Sequence, residues 1–92
     1  MKKLRIGVAG LGRAFTLMLP ALSRDPRVEL VAAADPRREA LQAFKRACGG
    51  QVFDSVEELC KSAAIDVVYI ATPHQFHAGQ ACLAASHGKH LL

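Results

Sequence analysis

The sequence predicts an α/β chain whose parallel sheet is doubly wound by helices, with strand order 3-2-1-4-5. Apolar runs of strand length alternate throughout with amphipathic stretches of helix length. The connections between them are short, and such alternation builds parallel sheets through right-handed crossovers. The first and fourth runs are almost continuously apolar, as suits strands covered on both faces.

Leu4–Ala9 is the first strand. A helix follows over about Gly12 to Arg24, with Ala14, Leu17, Met18, Ala21 and Leu22 as its inward stripe. Pro20 lies inside it and lacks the N–H for the Thr16 carbonyl, so a bend is expected there. Asp25-Pro26 turns the chain into a second strand, Val28–Ala34. Pro36 suits the first turn of a second helix, which runs to about Cys48 and stops at Gly49-Gly50. Gln51–Phe53 reads as a short third strand. Ser55 and Glu58 have capping-box spacing and open a helix with Val56, Leu59, Cys60 and Ala63 on one face.

Ile65–Ala71 is the fourth strand, broken by Thr72-Pro73. The last helix, from about His74 to His87, carries Ala78, Ala81, Cys82 and Ala85 inward, with Gly88 just past its end. His90-Leu91-Leu92 begins a fifth strand. The chain stops as this buried strand starts, so residues 1–92 are expected to be the front of a longer, two-domain polypeptide.

The 92 residues hold one small domain, and 51% hydrophobic content suffices for its core. The net charge of +4 is scattered, and aromatics are few and not interleaved with arginine, which argues against a nucleic-acid surface. Cys48, Cys60 and Cys82 are odd in number and lack C-x-x-C spacing. They read as reduced core thiols of a cytoplasmic protein. Arg5 and Arg13 interrupt any secretory h-region after Met1-Lys2-Lys3, and nothing approaches the ~20 apolar residues of a membrane span.

Gly10-Leu11-Gly12 lies between a strand and a helix, the context in which glycines bring the backbone close to a pyrophosphate. The helix start at Arg13 and Ala14 then offers free N–H groups to the anion. Phe15 stands at the third fingerprint position in place of Gly or Ala, which implies a local departure, with its ring at the pocket wall. Asp35 ends the second strand and reads two ways: as an acceptor for a ribose hydroxyl, or as cap of the helix after Pro36. The two roles are compatible. Its acid favours NAD, whereas Arg37 and Arg38 offer guanidinium to a 2′-phosphate, so NADP is not excluded. His74 and His77 follow the fourth strand, at the sheet edge where open α/β folds bind ligands. No third ligand of suitable type accompanies them, so no metal is expected. His87 and His90 fall at the opposite end and read as structural. No Ser/His/Asp or Cys/His nucleophile arrangement is defensible.

These residues resemble the Gfo/Idh/MocA oxidoreductases over the whole chain. The likeness is carried by Ile6 to Gly12, by Ala34-Asp35-Pro36, by Val67 to His77 (VVYIATPHQFH) and by Ala84 to Leu92 (AASHGKHLL). Family members usually have Asn where His74 stands; that residue and Phe15 are the two departures. The resemblance implies a Rossmann-type domain with cofactor contacts from Gly10, Leu11, Gly12, Arg13, Ala14, Phe15, Asp35, Arg37, Thr72, Pro73, His74 and His77. It also implies a catalytic lysine beyond Leu92, in a Glu-Lys-Pro motif, and a missing second domain that binds a small-molecule substrate and forms homo-oligomers. Lys89 matches the family's Gly-Lys-His and not that lysine. GLGRAFTLMLP and TPHQFHA are most similar to the branch that oxidises the cis-dihydrodiol of phthalate; sugars and cyclitols are the other substrates the family implies. Two rival readings are a non-catalytic dinucleotide sensor and a structural domain with an empty pocket.

Overall fold

The computed structural model describes residues 3–92, the side chain of His74 excepted. Along the chain come β1 (Leu4–Ala9), α1 (Arg13–Arg24), β2 (Val28–Ala34), α2 (Arg38–Cys48), β3 (Gln51–Phe53), α3 (Val56–Cys60), β4 (Val67–Ile70), a 3-10 turn at His74–Phe76, α4 (His77–Ser86) and β5 (His90–Leu91). The five strands are parallel, as the alternation predicts, and ordered β3-β2-β1-β4-β5, the order expected of a Rossmann-type domain. Every strand therefore ends on the same edge, and the loops after β1, β2, β3 and β4 gather there.

Two apolar layers sandwich the sheet. On one face Ile6 and Val8 meet Phe15 and Leu22 of α1 and Phe44 of α2. On the other, Ala9 and Val68 meet Leu59 and Cys60 of α3 and Ala84 of α4. Ser55 caps α3 as its spacing predicts, its Oγ accepting from the Glu58 amide at 3.2 Å. Gly88 has φ +74°, the left-handed conformation suited to the residue after a helix.

Several helix faces differ from expectation. The buried side of α1 is Phe15 and Leu22 with Leu19 packed beside them, whereas Leu17 is 73% exposed and Met18 is exposed as well. The two apolar stripes are adjacent on the helix, and the Phe15 ring decides between them. It packs against Phe44 with centroids 6.1 Å apart, and an aromatic pair buries more area than the Leu17 stripe would. On α4, Ala84 is buried, while Ala78, Cys82 and Ala85 are exposed. Cys82 is therefore not a core thiol; of the three cysteines only Cys60 is fully buried. Ala63 is exposed because α3 ends at Cys60. β4 is shorter than the apolar run, Ile65 being buried in the approach to the strand and Ala71 just after it.

The opposite edge of the sheet is fastened by charge. Arg5 and Asp66 form a two-pronged ion pair, with 2.9 Å between Nη2 and Oδ1. Lys89 Nζ donates to the carbonyls of Ser62 at 2.7 Å and Ile65 at 3.0 Å. Among the described residues no helix is long and apolar enough to cross a membrane.

Candidate functional site

At the carboxyl edge, β1 leaves the sheet through Gly10. Its N–H donates to the Ala34 carbonyl at 2.8 Å, which ties the turn to the end of β2. Its φ of +94° is costly for any other residue, and an added Cβ would stand 2.8 Å from the Thr72 methyl group. Gly12 differs. Its backbone is ordinary (φ −85°), and an added Cβ would meet nothing within 4 Å. The protein does not need the space above Gly12. Gly12 is also the N-cap of α1 and supplies no side-chain acceptor, and the first turn carries no acid. The leading N–H groups of α1 lack intrahelical acceptors and lie at the positive end of its dipole.

Asp35 is the one buried charged residue described, at 5% exposure. Its Oδ2 accepts from the Leu11 amide at 2.9 Å and from Arg37 Nη2 at 3.1 Å. Its Oδ1 accepts from the Arg37 amide at 2.8 Å and from Arg37 Nε at 3.0 Å. A carboxylate has about four acceptor positions, so all are in use. Asp35 is not the cap of α2: Arg37 is the N-cap residue and supplies no capping side chain, and Pro36 lies ahead of the helix rather than in its first turn. The carboxylate instead staples the glycine turn to the β2–α2 link. Burial pushes its pKa up, but the Arg37 guanidinium and the two amides outweigh that and hold it below the usual carboxylate value.

A group with a depressed native pKa stabilises the fold fully above its unfolded value, near 3.9, and loses that contribution as pH falls through the lower native value. Urea unfolding from pH 7 downward is thus expected to show stability falling below about pH 4, with Asp35→Asn flattening that fall. An unchanged acid slope in the variant would exclude Asp35 as its source.

The same edge encloses a cleft of about 470 Å³. Gly10, Gly12, Asp35, Arg37, Thr72 and Pro73, all expected from sequence, line it together. His77 does not line it. Its Nε2 donates to the Thr72 carbonyl at 2.6 Å and so shapes the cleft from behind. Leu11 serves through its amide, and Arg13 and Ala14 are exposed at the start of α1. Phe15 is not at the pocket wall: its ring is in the core, leaving only its main chain near the turn. The His74 backbone lies in the 3-10 turn, and its side chain falls outside the described residues.

Sequence reasoning missed Asp54, Ser55 and Val56 after β3, together with Phe76 and Gln80. The Ser55 capping box was a usable signal, since it places that helix start at the carboxyl end of a parallel strand. Gln80 lies three residues after His77, the spacing that puts two side chains on one helix face. Its Oε1 accepts from the Thr72 hydroxyl.

A family profile described as an oxidoreductase family with an NAD-binding Rossmann fold matches residues 4–92. The chain belongs to the Gfo/Idh/MocA oxidoreductase family. It is 51% identical over 90 residues to a 1-carboxy-3-chloro-3,4-dihydroxycyclohexa-1,5-diene dehydrogenase of Comamonas testosteroni, covering 97% of this chain and 23% of that protein. Its fold matches scyllo-inositol dehydrogenase from Lactobacillus casei, solved with NAD(H) and scyllo-inositol, with TM-score 0.92 and 30% identity over 98% of this chain and 27% of that one. A 3-ketoreductase from Actinomadura kijaniata, solved with NADP and TDP-benzene, matches with TM-score 0.92 and 30% identity, over 99% of this chain and 28% of that one. The chain thus spans about a quarter of the length of these relatives. The Gfo/Idh/MocA assignment agrees with the donor set: open space over Gly12, free amides at a helix start and a buried acid with its arginine are what a dinucleotide's pyrophosphate and ribose require.

Proposed function

We propose that this chain is the cofactor-holding part of a dehydrogenase acting on a secondary alcohol, with a ring-carboxylated cis-dihydrodiol as its substrate class. The carrying observation is the unfilled space over Gly12, continuous within one cleft with Asp35 and Arg37. The C. testosteroni relative supports the substrate class, since its name describes a carboxylated dihydroxycyclohexadiene. Sugars and cyclitols are the second reading, supported by the inositol bound to the L. casei enzyme. A bound nicotinamide supplies the hydride acceptor. The chain's own residues seat the pyrophosphate on the α1 amides, position the ribose beside Arg37 and hold the β4–α4 loop through His77.

In this reading the proton-transfer lysine lies beyond Leu92, and the substrate wall and the homo-oligomer interface belong to a second domain outside residues 1–92. A reducing, cytoplasmic setting suits the three free thiols. Titrating NADH into the protein while following its fluorescence is expected to give a saturable change. No change up to millimolar NADH would overturn the reading. Arg37 is half-exposed at the ribose end, so Arg37→Ala is expected to weaken NADPH about tenfold or more while changing NADH less, a charge-assisted contact being lost only for the 2′-phosphate. Equal losses for the two cofactors would remove Arg37 from that role.

A further inference from the structure

Phe76 and Gln80 line the cleft but take no part in the phosphate cradle. Gln80 is half-buried on α4, on the side that carries His77 and the buried Ala84. Its side-chain oxygen is already engaged by the Thr72 hydroxyl. Thr72 is itself held at its carbonyl by His77 and abuts Gly10, whose missing Cβ makes room for it. A side-chain amide anchored through its oxygen keeps its two N–H donors in a fixed plane. Among the described residues nothing accepts from the Gln80 amide nitrogen, and the residue borders the cleft. Phe76, an aromatic residue 51% exposed, stands in the same wall.

Which part of a dinucleotide meets this wall follows from the rest of the lining. With the pyrophosphate at the start of α1 and the adenosine ribose at the end of β2, the base is directed toward the side of the sheet that carries α3 and α4. There Val56 and Ala71 make the lining apolar, as a flat heteroaromatic ring needs. The in-ring nitrogens of adenine accept hydrogen bonds and do not donate them. We propose that Gln80 is the base-selecting residue of the cleft: its amide donates to a ring nitrogen of the cofactor's adenine, and the Phe76 ring covers a face of the base. The proposal rests on the dinucleotide reading and adds the group that recognises the base.

The test is the ratio of ADP to UDP affinity, because the ribose and phosphates common to both probes cancel in it. Calorimetric binding of each to the unaltered protein is expected to favour ADP. Gln80→Glu keeps an acceptor for Thr72 but has no N–H to offer, and Gln80→Leu removes both groups. Each is expected to reduce the ADP:UDP ratio about fivefold to tenfold, the worth of one or two hydrogen bonds. A purely structural role would weaken both probes alike and leave the ratio unchanged. An unchanged ratio in both variants, with ADP still binding, overturns this proposal alone. Failure of ADP to bind the unaltered protein overturns the dinucleotide reading and this proposal with it. Should the variants not fold, the 1-deaza, 3-deaza and 7-deaza analogues of ADP test the unaltered protein. One of them is expected to bind about tenfold more weakly than ADP; equal binding by all three overturns the proposal.

Discussion

Gly12→Val is expected to lower the unfolding midpoint only slightly and to weaken NADH binding by about 100-fold or more, equivalent to about 3 kcal/mol of lost binding energy. The backbone at Gly12 has φ −85° and ψ −155°, extended and with no positive φ, at the margin of the region open to L-residues, and an added Cβ would touch nothing in the protein. The change in N-cap residue costs about 1 kcal/mol at most. The branched side chain would stand in the space above the α1 amides, where the proposed function seats the pyrophosphate. Gly10→Ala makes the opposite control, since its φ of +94° and its contact with Thr72 make any side chain there a folding defect. Urea unfolding and NADH fluorescence on the same samples separate the two. Tight NADH binding by a folded Gly12→Val protein would show that the anion does not sit on this turn.

Asp35→Ala carries the second large effect, and it falls on stability before cofactor choice. Removing the carboxylate leaves the Leu11 amide without its acceptor and releases the Arg37 main chain and guanidinium together. Losing a buried charged acceptor from several donors is expected to lower unfolding free energy by about 2–3 kcal/mol. The urea midpoint should fall with little change in slope. Both NADH and NADPH should bind less well, because the glycine turn loses its Leu11–Asp35 tie and is held to β2 through the Gly10–Ala34 hydrogen bond. A midpoint equal to that of the unaltered protein would mean that the turn holds itself in place without Asp35. Because all acceptor positions of Asp35 are in use, a ribose diol gains access to the carboxylate only when the Arg37 guanidinium leaves it. In the proposed reading, that exchange ties acceptance of the ribose to the movement of one half-exposed side chain.

The strands were legible because residues buried on both faces leave continuous apolar runs, as in Ile6–Ala9 and Val67–Ile70. Helix phase was not. Around α4 nearly every face offers Ala or Cys, so periodicity fits several rotations equally, and the polar His77 and Gln80 argue against the inward side they partly occupy. They are tolerated there because each hydrogen-bonds to Thr72. In α1 the deciding residue, Phe15, belongs by motif to the turn and by packing to the core. The glycine turn and Asp35 were recognisable from order and spacing. The saturation of Asp35 was not: one of its four hydrogen bonds comes from Leu11, 24 residues away in sequence and brought close by the β1–β2 pairing, and the other three need Arg37 folded back on the carboxylate.

The Lys89 ammonium commits two of its three protons to main-chain oxygens at the rim opposite the cleft. An amine so occupied is a rivet for the loop before β4 and has no reach to a reacting carbinol. Its rate of labelling by a small amine-directed reagent would therefore report how often that rim breathes, and cofactor added at the other rim should slow the labelling only so far as it quiets the whole sheet.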